Sequence, residues 1–122
     1  MEKFTISIII PILNEEANIG KLLDHLIENS SKKNISEIII VDGGSTDHSE
    51  SIVKQFQNVI FLKSDKGRAK QMNVGAKNTI GNILYFLHAD SFPPKHFDEL
   101  IITEIKKGNL AGCFKMKFDS NN

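Results

Sequence analysis

Four short segments of this 122-residue chain carry side chains that could hold a nucleoside diphosphate. Asp42-Gly43-Gly44 joins a carboxylate, able to accept hydrogen bonds from a base or a ribose, to two glycines that let a ligand approach the backbone. Lys66-Gly67-Arg68, with Lys70 just beyond, gathers positive charge near a helix start, where free backbone N–H groups also favour a phosphate. His88-Ala89-Asp90 ends an apolar run in a carboxylate. Such an oxygen donor suits Mg²⁺ or Mn²⁺ when a diphosphate fills other coordination positions. The cation would neutralise charge on a nucleotide leaving group. Pro11, Leu13, Asn14 and Glu15 form the fourth segment, in which the proline ends a strand. Singly, these segments also read as a strand terminator with a helix cap, a glycine turn, a solvated charged loop and a packed histidine. They become a site only if one fold brings them to one edge.

The hydrophobic pattern supplies such a fold. β-Branched or apolar runs at 6–10, 38–41, 59–62 and 83–87 read as buried strands. Between them, helical spacing recurs. Ile19, Leu22, Leu23, Leu26 and Ile27 share a face, with Asn14 as the expected N-cap and Glu15 and Glu16 at the positive end of the helix. Asp47 and Glu50 have capping-box spacing ahead of Ile52, Val53 and Phe56. Ala69, Met72 and Ala76 mark a helix ending near Gly81. Pro93-Pro94 leads into a helix whose face is Phe97, Leu100, Ile101 and Ile105, stopped by Gly108. Phe114, Met116 and Phe118 then alternate with lysines, as in a strand with one wet face. Strands alternating with helices predict an α/β fold, a mostly parallel sheet with helices on both faces. In such sheets ligands bind beyond the carboxyl ends of the strands, where all four segments fall.

Composition narrows the function. Fifteen Lys+Arg balance fifteen Asp+Glu, so the chain lacks the basic field that nucleic-acid binding needs. No stretch is long enough to span a membrane, and the first residues are not a signal peptide. The single cysteine, Cys113, reads as a small buried residue, and with no internal disulfide available a reducing, cytoplasmic compartment is expected. His25, His48 and His96 read as surface residues. There is no G-x-G-x-x-G after the first strand and no G-x-x-x-x-G-K-[ST], which sets aside dinucleotide-binding and P-loop folds.

Residues 6–16 (ISIIIPILNEE), 40–47 (IVDGGSTD) and 86–90 (FLHAD) resemble, in order and spacing, the opening strand, second-strand motif and DXD-type metal motif of family 2 glycosyltransferases. Residues 66–76 (KGRAKQMNVGA) are most similar to a subgroup associated with radical-SAM and selenium-related domains. The resemblance implies a Rossmann-like GT-A fold, a nucleoside-diphosphate sugar donor, a divalent metal and an acceptor it does not identify. It places Pro11 and Glu15 near the nucleoside, Asp42 near the base or ribose, Arg68 and Asn73 near the base or diphosphate, and Asp90 on the metal. Two positions depart from the pattern. Gly43 stands where many members carry a second aspartate that contacts the base, and His88 replaces the first aspartate of the DXD-type motif.

Family members continue beyond the equivalent of residue 122, and their acceptor site and general base lie there. Inverting transfer needs a base to take the acceptor's proton, and Glu99 and Glu104 sit on a helix as solvated residues. The expectation is therefore one truncated donor-binding domain over 1–122, incomplete for catalysis. It would self-associate through the uncovered strand of Phe114, Met116 and Phe118. The competing class is a receiver-like signalling module with Asp42 as phospho-acceptor, though it lacks the acidic pair after the first strand.

Overall fold

The computed structural model describes residues 3–108. Four strands form a single sheet: β1 (Ile6–Ile12), β2 (Ile35–Asp42), β3 (Val59–Lys63) and β4 (Ile83–Phe86). Their order is β3-β2-β1-β4. Four helices alternate with them: α1 (Ile19–Glu28), α2 (Ser49–Val53), α3 (Arg68–Lys77) and α4 (Phe97–Lys106). Every strand pairing is parallel. Ile12 of β1 lies opposite Asp42 of β2, which lies opposite Lys63 of β3. All carboxyl ends therefore open on one edge.

The central strands are nearly continuous isoleucine because both faces are covered. Ile6, Ile8, Ile10 and Ile12 join Ile38, Ile40, Tyr85 and Leu87 in the larger core. Leu22, Leu23 and Leu26 of α1, Val53 of α2, and Phe97 and Ile101 of α4 complete it. On the other face the cluster is Ile9, Ile39 and Val41, with Val74 and Ala76 of α3 packed against it. Helix α3 lies unusually close to the sheet. A Cβ on Gly75 would fall 2.5 Å from Ile9 Cγ2 and 3.1 Å from Val41 Cγ2. The expected α/β class, parallel sheet and helices on both faces are all present.

Several local expectations are corrected. Asn14 caps no helix. It adopts the left-handed region (φ 55°), and α1 begins only at Ile19, after Asn18. Glu15 and Glu16 thus precede the helix, whose first turn holds no acidic residue. Asp47 and Glu50 form no capping box, because Glu50 turns to Lys54 Nζ (2.8 Å) and Lys63 Nζ (3.3 Å). Helix α3 ends at Lys77, and its buried residues are Gln71 and Gly75 rather than Ala69, Met72 and Ala76. Leu100 is exposed, whereas Phe97 and Ile101 are fully buried. His25 is half-buried rather than a surface residue. The strand expected at 114–118, and Cys113, lie outside the described residues. Among those described, no helix is long and apolar enough to cross a membrane.

Candidate functional site

Two of the four segments interlock. The loop after β1 and the loop after β2 exchange polar contacts residue by residue. Asn14 N–H donates to Ser45 Oγ (2.7 Å), and Thr46 N–H returns a bond to Asn14 Oδ1 (2.8 Å). Glu15 N–H donates to Ser49 Oγ (2.9 Å), and Glu16 N–H to Asp47 Oδ2 (3.1 Å). His48 N–H closes the series on Glu16 Oε1 (3.0 Å). Desolvation alone would raise the Asp47 carboxyl, yet the bonds from Ser49 and from the Glu16 N–H hold it below the usual carboxylate value. Pro11 lies within β1, opposite Val41, and Leu13 is half-buried just past the strand.

Asp42 ends β2 at the floor of this lattice, only 3% exposed. Its carboxylate accepts the N–H groups of Gly44 (3.3 Å) and Ser45 (3.0 Å) and the Ser45 hydroxyl. The group expected to face a base or ribose thus first folds its own loop. The two glycines after it differ in cause. Gly44 is needed for conformation, at φ 107° with open space around it. Gly43 is needed for room, since a Cβ there would lie 2.7 Å from Gln71 Oε1.

The other two segments meet at Arg68 and His88. Arg68, the first residue of α3, lays its guanidinium against His88 past the end of β4, with Nη2 2.6 Å from Nδ1 and also touching Nε2. Arginine has only donors, so the imidazole must offer an unprotonated nitrogen. Consistent with this, burial and then the Arg68 charge hold the His88 pKa below its ordinary value, against an opposing pull from Asp90. Asp90 and Lys66 are exposed, and Ala89 is buried between His88 and Asp90. Asn73 parts company with Arg68. It lines an open groove of about 530 Å³ with Lys63, Ser64, Asp65 and Lys70, to which neither Arg68 nor His88 contributes.

The segment carrying Asp90 is tied back to α1. His25 Nε2–H donates to Pro93 O (2.5 Å), while Asn29 Nδ2 lies 3.3 Å from His25 Nδ1; this network assigns the ring hydrogen to Nε2. Phe92 packs edge-on against the same ring, centroids 5.3 Å apart.

Gln71 is the residue that sequence reasoning missed. It is 4% exposed. Its Nε2 donates to Ile12 O and Val41 O, both at 2.8 Å, and its Oε1 accepts the N–H of Gly67 (3.3 Å). One side chain therefore ties the ends of β1 and β2 to the loop before α3. The available signal was Gln71 and Gly75 at i,i+4, a polar and a small residue sharing the inner face of a weakly apolar helix.

The chain belongs to glycosyl transferase family 2, whose family model matches residues 7–122. It is 33% identical over 136 residues to the poly(ribitol-phosphate) β-N-acetylglucosaminyltransferase TarS of Staphylococcus aureus, covering 97% of this chain and 23% of that protein. It is 30% identical over 106 residues to the glycosyltransferase AglE of Haloferax volcanii, covering 82% and 35% respectively. The crystal structure of S. aureus TarS 1-349 superposes with a TM-score of 0.76 at 26% identity, over 85% of this chain and 33% of that one. The complex of TarS 1-349 with UDP-GlcNAc gives 0.74 at 27% identity, over 85% and 32%. The chain thus spans about a quarter to a third of the length of these relatives.

Proposed function

We propose that this chain binds a nucleoside-diphosphate sugar at the carboxyl edge of its sheet, as the donor half of a sugar transferase. The observation that carries this is the meeting of Arg68 with His88, because it sets a guanidinium from α3 beside the end of β4 and within the electrostatic reach of Asp90. A guanidinium supplies paired donors for phosphate oxygens. The backbone of 43–45, pinned by Asp42, would floor the nucleoside, with Pro11, Leu13, Asn14 and Glu15 on the adjoining rim. Lys66 stands where it can add charge toward the phosphates. TarS, the similar protein described above, has been crystallised with UDP and with UDP-GlcNAc, which favours a uridine nucleotide as the first to try.

Among the described residues no group of three or more His, Cys, Asp or Glu side chains is gathered to hold a metal. A single exposed carboxylate at the strand end fits a cation shared with the donor, in which the diphosphate supplies the remaining oxygens. Asp90 would hold it, and Mn²⁺ or Mg²⁺ so held supplies charge neutralisation for the departing nucleotide. His88, kept neutral beside Arg68, adds no positive charge of its own at pH 7. Transfer to the acceptor, and the base that deprotonates it, belong to the portion that the relatives carry beyond the length matched here. The likeness of residues 66–76 to the radical-SAM- and selenium-associated subgroup supports reading the chain as one of its members. A cytoplasmic location, and self-association through residues 114–118, whose apolar side chains alternate with lysines in the sequence, belong to the same proposal.

The test is a calorimetric titration of the 122-residue chain with UDP, UDP-GlcNAc, GDP and GDP-mannose, each with and without Mn²⁺. Saturable binding strengthened by Mn²⁺ is expected for at least one donor. No binding by any of the four would overturn the assignment.

A further inference from the structure

Residue 43 looks onto the floor of the site, and what fills the space beside it is the amide of Gln71. A Cβ on residue 43 would lie 2.7 to 3.0 Å from the Oε1, Cδ and Nε2 atoms of that amide. The amide is the tip of a flexible side chain, so it could swing aside. Doing so would forfeit its bonds to the carbonyls of Ile12 and Val41 and to the N–H of Gly67. The Ile12 carbonyl would keep the Gly43 N–H (3.0 Å), but the amide itself would leave its partners, and a buried polar group does so only at a cost. Gly43 shows no positive φ that would demand glycine, in contrast to Gly44. The constraint on residue 43 is therefore set by residue 71.

The same amide governs the basic rim. Gly67 is held twice, its N–H by Gln71 Oε1 and its carbonyl by the Gln71 N–H (2.8 Å). Gly67 lies between Lys66 and Arg68 and precedes the first turn of α3. The second bond belongs to the helix backbone; the first, through the side chain, links that turn to the ends of β1 and β2.

We infer that Gln71 is a positioning residue that sets the Lys66-Gly67-Arg68 turn against the strand ends, and that Gly43 and Gln71 form one coupled unit in which the side chain at 71 occupies the room a side chain at 43 would need. This role rests on the nucleotide-binding function proposed above. It also predicts a specificity consequence. Any group that would reach the ligand from residue 43 is replaced here by backbone, so discrimination between bases falls to the remaining rim.

The experiment is a double-mutant cycle with two readouts. Wild type, Gly43→Ala, Gln71→Ala and the double variant are melted without ligand. Gly43→Ala is expected to lower the melting temperature by about 4 °C or more, and to cost far less in the Gln71→Ala background, where the space is vacant. Equal losses in both backgrounds would overturn the coupling. In parallel, Gln71→Met, which keeps the volume and drops the amide, is titrated with UDP and with uridine at a temperature where it is folded. UDP affinity is expected to fall by roughly tenfold, the lower end of what removing a supporting residue costs, with uridine affected several-fold less. Equal loss for both ligands, or none for either, would overturn the positioning role. A wild-type chain that binds no nucleotide would remove the function on which the role rests and overturn it too, while the melting cycle would still decide the coupling on its own.

Discussion

The two halves of the site's rim are built on opposite plans. On the β1–β2 side, loop amides and side chains satisfy one another through Asn14, Ser45, Thr46, Asp47 and Ser49, with Asp42 buried beneath. On the β3–β4 side, Lys66, Arg68 and Asp90 are exposed, and the two segments meet through Arg68 and His88. Polar residues at a strand end thus have two fates. Where they bond one another they make a rigid floor, and their removal should register as lost stability. Where they are left toward solvent they make a charged rim, and their removal should register as lost binding.

The sharpest way to break this contrast is Asp42→Ala. It leaves two loop N–H groups and a hydroxyl without their buried acceptor, and should destabilise the chain by about 2–3 kcal/mol, read by denaturant unfolding. A loss below 0.5 kcal/mol would show that the floor is not held by that carboxylate. Arg68→Ala should leave the melting temperature nearly unchanged and weaken UDP by roughly tenfold, or about 1.4 kcal/mol, with little effect on uridine. A large fall in stability would erase the distinction between floor and rim. Asp90→Ala should abolish the strengthening of UDP binding by Mn²⁺ while metal-free affinity stays within about twofold; retained metal dependence would refute its role.

Acidification gives a smaller effect with a defined sign. The folded-state His88 pKa lies below its unfolded value, so the unfolded chain binds more protons as pH falls through the ordinary histidine range near 6.5. Stability should decline from about pH 7 to pH 5, and His88→Gln should flatten that part of the profile. An unaltered profile would contradict the burial and Arg68 repulsion assigned to His88. Smallest of all should be His48→Ala. Its ring pairs with Glu16 Oε1 at 2.9 Å in the open, and exposed pairs contribute at most about 1 kcal/mol.

The sheet was legible because its strands are isoleucine runs between turn residues. The edge on which the candidate site lies followed from parallel topology alone. What escaped were the partners of polar atoms. Asn14 reads as a helix cap, since capping is the commonest local use of asparagine before an apolar stripe, but its oxygen goes to Thr46, thirty-two residues away. Gln71 draws no attention in the sequence, because a glutamine gains from burial only where carbonyls await it. Those of Ile12 and Val41 are brought together by the pairing of β1 with β2. Spacing sets Leu100 on the same helical face as Phe97 and Ile101, yet α4 turns those two inward and leaves it exposed.

The unequal thickness of the two cores has a mechanical corollary. Helices α1, α2 and α4 share a seventeen-residue buried cluster, whereas α3 rests on three buried residues and the close seat at Gly75. The helix that begins with Arg68 thus packs on a smaller apolar cluster than α1 does, and sub-global opening starts where apolar contact is thinnest. Its backbone amides should exchange with deuterium sooner than those of α1, and occupancy of the rim by a phosphate-bearing ligand should slow them first. A donor would then act as the missing mortar, stiffening the element that grips it.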